Sequence, residues 1–216
     1  LKKNDTSTII YTSGTSGNPK GVVLSHKALL HNLNAALHLI KEFGIKSERF
    51  ISFLPLSHSY ERMAGLYFPL LIGAQIFFSS SLDKLLIEIK EVKPTFFSAV
   101  PRLYENIYKK IKAQINNSGK IKRMILKIIF NSVEDKNINI FSSILGKIFI
   151  KLFIFKKIKN NLGGKIKVLV SGGAALSPQI GFFFNKVGFD LLQGYGQTEA
   201  APLISCNTKK NNDPKT

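Results

Sequence analysis

At 216 residues with 44% hydrophobic side chains, the chain is long enough to bury a sizeable core and fits one domain or two. Its single cysteine, Cys206, excludes an intramolecular disulfide and a Cys-x-x-Cys metal site, and fits a reducing, cytoplasmic compartment. The net charge of +18 is uneven: 15 Lys and Arg but only two acids, Glu134 and Asp135, fall between Ile107 and Lys167, which puts +13 there without a recognisable nucleic-acid-binding module.

Residues 5–11 read as a strand that runs into Tyr11-Thr12-Ser13-Gly14-Thr15-Ser16-Gly17-Asn18-Pro19-Lys20-Gly21. Three glycines, five hydroxyl side chains and one lysine within eleven residues suit a polyphosphate. Glycine lets the backbone turn its N–H groups toward one point, hydroxyls add donors without bulk, and Lys20 adds a positive charge. The G-x-x-x-x-G-K-[ST] loop of nucleotide hydrolases is excluded, because no Gly-Lys-Ser/Thr occurs and Pro19 precedes the lysine. A plain Gly/Ser linker is the competing reading, opposed by the preceding strand and the following Lys20-Gly21-Val22-Val23.

Residues 20–23 read as a short strand, and Ser25 as the N-cap of a helix over 26–43. Strands follow at 49–54, 74–78 and 95–99, separated by helices at 60–71 and 82–92. The uncharged run from Met63 to Leu82 holds Gly65, Pro69, Gly73 and Gln75, so it reads as helix, glycine stop and buried strand rather than a membrane span. Pro101 opens a helix to about 115. Residues 116–160 look helical, with a break near 116–119. Between 138 and 158 Phe141, Ile144, Leu145, Ile148, Phe149, Leu152 and Phe155 recur at helical spacing, with Lys147 and Lys151 on another face. That pattern fits either a core-facing helix with a solvated lysine face or a helix lying on an anionic membrane surface. A strand at 165–170, the turn Ser171-Gly172-Gly173-Ala174, a helix at 177–187 and a short strand at 190–193 complete the reading. Strands alternating with helices imply an α/β fold, layered α/β/α with largely parallel sheets.

Three segments carry a family resemblance. Thr12 to Gly21, then Leu54-Pro55-Leu56-Ser57-His58-Ser59-Tyr60-Glu61-Arg62, then Gln193-Gly194-Tyr195-Gly196-Gln197-Thr198-Glu199 resemble, in order and approximate spacing, three core motifs of the adenylate-forming (AMP-binding) superfamily. The likeness runs from about residue 5 to about residue 205 and implies part of that fold's N-terminal domain, incomplete at both ends. Residues 1–106 would form the phosphate-loop and acyl-site part, 107–164 a basic helical insert, and 165–216 the adenine and metal-motif part.

The resemblance also implies ATP as substrate, AMP as its bound remnant, Mg²⁺, and CoA as co-substrate. By it, Thr12, Ser13, Gly14, Thr15, Ser16, Gly17 and Lys20 grip the β- and γ-phosphates, with Ser16 standing where many relatives carry threonine. Glu199 is implied as the Mg²⁺ ligand, a hard oxygen donor of the type that ion takes, with Thr12 near the ion. Thr198 is implied to reach the α-phosphate. Tyr195 would stack on adenine, with Gly194 and Gly196 clearing room and Gln193 and Gln197 flanking them. Gly172, Gly173 and Ala174 would line the adenine and acyl pockets. His58 would stand by the acyl carboxylate or thioester, where a neutral imidazole donates to the carboxylate or gates its access. Lys20, His58, Thr198 and Glu199 are thus the candidate catalytic set. His26, His31 and His38 read as structural or solvated, and Glu61 and Arg62 as a local scaffold pair.

Ser57-His58-Ser59-Tyr60-Glu61-Arg62, Val100-Pro101-Arg102-Leu103-Tyr104-Glu105 and the basic insert resemble long-chain acyl-CoA synthetases more than aryl or amino-acid activators. No acid can be assigned to pair a substrate amine, and without Trp no tryptophan gate on an acyl tunnel is available. The expectation is therefore a long-chain fatty acid–CoA ligase. Its alternatives are an aryl- or medium-chain acid ligase, or a non-catalytic basic module for membrane or nucleic acid. Expected partners are a fatty acid and, through 107–167, the inner face of a membrane, with no nucleic acid. The family's ribose-binding aspartate, hinge and mobile C-terminal lysine have no counterpart here, so residues 1–216 alone are expected to be inactive or very slow.

Overall fold

The computed structural model describes residues 1–13, 17–117, 119 and 154–215. Strand β1 (Thr6–Thr12) and β2 (Lys20–Ser25) form an antiparallel hairpin in which Thr12 faces Lys20. Ser25 is extended, and its hydroxyl accepts the Ala28 N–H at 3.2 Å, which caps α1 (His26–Ile40). The expected helix to 43 ends earlier: a 3₁₀ turn, Lys41–Phe43, takes over before Gly44.

Strand β3 (Arg49–Ser52) pairs in parallel with β4 (Gln75–Phe78). Between them runs α2, made of contiguous pieces: Ser59–Glu61, a π-helical Arg62–Tyr67, and Phe68–Leu71. The wide turn has a local cause. Pro69 has no N–H, and its ring would meet the carbonyl four residues back in a regular α-helix. Helix α3 (Leu85–Val92) leads to β5 (Phe96–Ala99), and α4 (Pro101–Asn116) follows. Of the expected helical insert, residues 118 and 120–153 lie outside the described residues; beyond them stands α5 (Lys156–Asn161). The chain then gives β6 (Val168–Ser171), α6 (Pro178–Val187), β7 (Leu191–Gly196) and β8 (Leu203–Cys206), a strand the sequence reading did not anticipate.

Strands β5, β6 and β7 are mutually parallel, and β8 closes the sheet antiparallel to β7. Consecutive residues on a strand point to opposite faces. Phe97, Leu169 and Leu191 accordingly enter one core with Tyr104, Phe183 and Phe184 from α4 and α6. Their neighbours Phe96, Val168 and Leu192 enter a second core with Leu33 of α1 and Met63 and Phe68 of α2. Apolar residues on both faces are what a parallel strand covered by helices on each side requires. The three α/β/α layers follow from that.

A buried ion pair fastens β3 to the start of β6. Glu48 is 1% exposed, and one carboxylate oxygen accepts from Lys167 Nζ at 2.5 Å and from the Lys46 N–H at 2.8 Å. Burial alone pushes its pKa up, yet the bonds from Lys167, Thr95 and Lys46 outweigh this and hold it below the ordinary carboxylate value of 4.5. A depressed folded pKa adds stability above the unfolded value that is lost as pH falls through the folded one. We expect Lys167→Met, in the intact protein, to cost about 1–2 kcal/mol near neutral pH, because it strands a buried carboxylate while Lys167 itself is partly solvated. Urea unfolding at pH 7 and at progressively lower pH checks this: the loss should shrink as pH falls through the folded pKa of Glu48 and its carboxylate is protonated.

Candidate active site

Three elements meet at the C-terminal ends of the parallel strands. The loop after β3 carries His58 and leads into α2, the turn after β6 carries Gly172 and Gly173, and the end of β7 carries Gly194 to Thr198. Ligand sites of open α/β sheets lie at such strand ends. A pocket of about 240 Å³ opens here. Its mouth is formed by His58, Ser59, Gly173, Gly194, Tyr195, Gly196, Gln197 and Thr198. Its deep end is apolar, lined by Ala36, Leu39 and Ile40 of α1, Met63, Ala64 and Phe68 of α2, and Phe50 and Phe96 of the strands. Phe50 and Phe96 stack with ring centroids 5.5 Å apart. Cys206 also lines it, and burial pushes its thiol up to about 11, so it presents a neutral surface.

His58 is the N-cap of α2, and its Nδ1 accepts the Tyr60 N–H at 3.2 Å. In the neutral ring this leaves the proton on Nε2. Ser59 lies 3.1 Å, hydroxyl to hydroxyl, from Thr198, which joins the second and third motifs across the mouth. Thr198 opens a 3₁₀ turn, Thr198–Ala200, in which Glu199 is exposed. Strand β2 packs against this turn, so the glycine-rich hairpin and Glu199 belong to one corner of the molecule. Thr12, Ser13, Gly17 and Lys20 are on that hairpin; Gly14, Thr15 and Ser16 lie outside the described residues. Among the described residues no group of three or more His, Cys, Asp or Glu side chains is placed to hold a metal. A single carboxylate is nonetheless the donor set Mg²⁺ takes when phosphate oxygens and water fill the remaining positions. Glu199, exposed beside the hairpin, fits that description.

Several expected pocket residues have structural duties instead. Gly172 is not on the pocket wall: a Cβ there would come within 2.6 Å of the Tyr60 ring, which occupies the space. Tyr60 and Tyr104 both direct their hydroxyls to the Val170 carbonyl, at 3.3 and 2.9 Å, and burial pushes both phenols well above the ordinary range, so they remain donors. Ala174 is likewise off the wall, and the Gln193 Oε1 accepts the Leu176 N–H at 2.9 Å, bracing the turn after β6. Gly196 is required by the protein itself, since the Pro202 carbonyl lies against its Cα. A Cβ at Gly194 would make only ordinary contacts of 3.7 Å or more. Gly194 and Gly173 are the small residues that leave the mouth open.

Glu61 and Arg62 do not pair with each other, because neighbours on a helix diverge. Glu61 is 1% exposed and accepts from Ser52 Oγ at 2.7 Å and the Phe53 N–H at 3.1 Å. Burial pushes this carboxyl up, against the opposing pull of those bonds. Arg62 donates to the Leu56 carbonyl at 2.8 Å and to Thr8 of β1, which ties the His58 loop to the hairpin.

A family model described as AMP-binding enzyme matches residues 1–216. The chain is 39% identical over 209 residues to long chain acyl-CoA synthetase 6, peroxisomal, of Arabidopsis thaliana, covering 94% of this chain and 28% of that protein. It is 35% identical over 202 residues to long-chain-fatty-acid–CoA ligase 1 of Cavia porcellus, covering 91% and 28%. The chain thus spans less than a third of the length of these curated relatives. Among solved structures, ATP-bound MatB from Rhodopseudomonas palustris is similar with TM-score 0.64 at 20% identity, covering 99% of this chain and 33% of that one. The A-PCP didomain of carboxylic acid reductase from Segniliparus rugosus, in complex with AMP, gives 0.65 at 24% identity, covering 95% and 25%. Those two likenesses show the fold, which is that of adenylate-forming enzymes. Matched along its whole length by the family model, and at 39% identity by a curated relative, the chain belongs to the AMP-binding enzymes.

Proposed function

We propose that the protein containing this chain is a long-chain fatty acid–CoA ligase, in which these residues bind ATP and the acyl group. The observation that carries the reading is the pocket: a largely apolar, aromatic-floored space whose polar groups gather mainly at the His58–Ser59 and Tyr195–Thr198 mouth. An alkyl chain in the apolar end would leave its carboxylate at that mouth, beside the residues whose motif resembles a nucleotide site. The names of the relatives at 33–39% identity support the same substrate class.

In the reaction, a carboxylate oxygen bonds to the α-phosphorus of ATP and the bond from that phosphorus to the bridging oxygen of pyrophosphate breaks. The sulfur of CoA then bonds to the acyl carbon and AMP leaves. Both first-step reactants are anions, so the site must screen charge and align them. The backbone N–H groups and hydroxyls of the 12–17 segment, with Lys20, would hold the departing pyrophosphate. The Thr198 hydroxyl, oriented by Ser59, would donate to the α-phosphate, and the His58 Nε2–H to the carboxylate. Tyr195, 57% exposed and bonded through its hydroxyl to Gln197, presents a ring face for the adenine. Mg²⁺, held by Glu199 with Thr12 near, would supply positive charge to the phosphates.

The test is ATP–pyrophosphate exchange by the full-length protein across saturated acids of increasing length and a set of aryl acids. Exchange that rises to a maximum with long-chain acids is the expected result. A maximum with medium-chain or aryl acids would replace the substrate assignment, and no acid-dependent exchange would overturn the reading.

A further inference from the structure

We propose that Asn32 is a positioning residue for adenylation, holding the Thr198–Leu203 turn in register with the glycine-rich hairpin. Asn32 sits on the buried stripe of α1 with Leu29, Leu33 and Ile40, and is 6% exposed. A polar side chain in such a stripe is costly unless its groups are bonded. Its amide is fully engaged, and with one segment only. Nδ2 donates to the Ala200 carbonyl at 3.2 Å and to the Leu203 carbonyl at 2.7 Å, while Oδ1 accepts the Leu203 N–H at 3.0 Å. These bonds span the 3₁₀ turn that carries Thr198 and Glu199 and the first residue of β8.

The other end of the same helix is continuous with the hairpin. Helix α1 begins directly after β2, whose first residue, Lys20, pairs with Thr12. Ile10, Leu24, Leu29 and Ala201 form one small core between hairpin, helix and turn. From the opposite side, Ser59 bonds Thr198. Among the described residues, polar side chains thus hold the turn from two sides, Ser59 from α2 and Asn32 from α1, and Asn32 adds hydrogen bonds to the apolar contact that Ala201 makes with helix and hairpin. An amide supplies two donors and an acceptor here: Asp would lose both donors and face two carbonyl oxygens, and Ser, with a single O–H donor, could serve only one of the two carbonyls.

This assignment rests on the ligase reading, so the test begins with wild-type, full-length protein, for which absent acid-dependent exchange would remove that reading by itself. Given wild-type exchange, Asn32→Asp is expected to lower it about 10-fold or more at pH 8 and to raise the half-saturating Mg²⁺ several-fold. Part of the loss should return as pH falls toward 6, because a carboxyl facing carbonyls titrates high and regains a donor on protonation. In protein free of nucleotide and metal, amide hydrogen exchange over residues 197–206 should be faster in Asn32→Ser than in wild type, with the β5–β6 amides unchanged. A residue that merely supported the fold would lower the yield or melting temperature and leave these readouts as they were. If Asn32→Asp does not fold, Asn32→Ser carries both measurements. Unchanged Mg²⁺ dependence together with unchanged exchange over 197–206 overturns the proposal.

Discussion

On the ligase reading, replacing Glu199 with Gln in the full-length protein is expected to lower acid-dependent ATP–pyrophosphate exchange by about 10²- to 10³-fold, with little change in unfolding midpoint. The size follows from removing one charged group from a site built to stabilise developing charge, which costs about 3–4 kcal/mol of barrier. Glu199 is exposed in a 3₁₀ turn and has no ion-pair partner among the described residues. Exposed substitutions away from caps and cores shift stability by only about 0.5 kcal/mol. Gln keeps the shape and one oxygen but not the charge, so a loss of activity at constant stability isolates electrostatics toward the metal and phosphates. Exchange assays across a Mg²⁺ series, with parallel urea denaturation, give the two numbers. A loss under about 3-fold at saturating Mg²⁺ would remove Glu199 from the metal site.

What the sequence made legible was local. The strands flanking the glycine- and hydroxyl-rich segment, the Ser25 cap and the βα alternation are written in neighbouring residues. Parallel strands were readable from the alternation of strands with helices, and in the structure Phe96-Phe97 and Leu191-Leu192 are buried on both faces, as doubly covered strands require. What remained hidden depends on partners far along the chain. Asn32 bonds residues 168 and 171 positions away, and Ser59 meets Thr198 across 139. Neither spacing leaves a periodic trace; the one available signal for Asn32 was a polar residue inside an apolar helical stripe. Gly172 misled for the same reason, since a turn glycine looks identical in sequence whether it admits a ligand or the ring of Tyr60. Strand β8 is four residues long, follows Pro202 and contains Ser205, too little pattern to announce itself.

The second large effect concerns the substrate. Ala64→Phe in the full-length protein is expected to lower kcat/KM for long-chain acids about 10²-fold while changing short acids by less than about 3-fold. Ala64 lies on the π-helical turn of α2 and lines the apolar half of the pocket opposite α1. A phenyl ring there would take up a large part of a space of about 240 Å³ whose floor is Phe50 stacked on Phe96. Each methylene refused by an apolar pocket costs about 1–3 kcal/mol of transition-state binding, so excluding even the distal part of a long chain reaches that magnitude. Overpacking also destabilises a fold by about 1–3 kcal/mol, but that cost is common to every acid tested. The ratio between long and short acids therefore reports the pocket alone. Exchange rates over a series of saturated acids, wild type against Ala64→Phe, give that ratio directly. If the whole series falls by one factor, the acyl chain does not lie between α1 and α2, and the pocket must be read as space left by packing; if the optimum moves to shorter acids, the walls at Ala64 and Ala36 set the length the enzyme accepts.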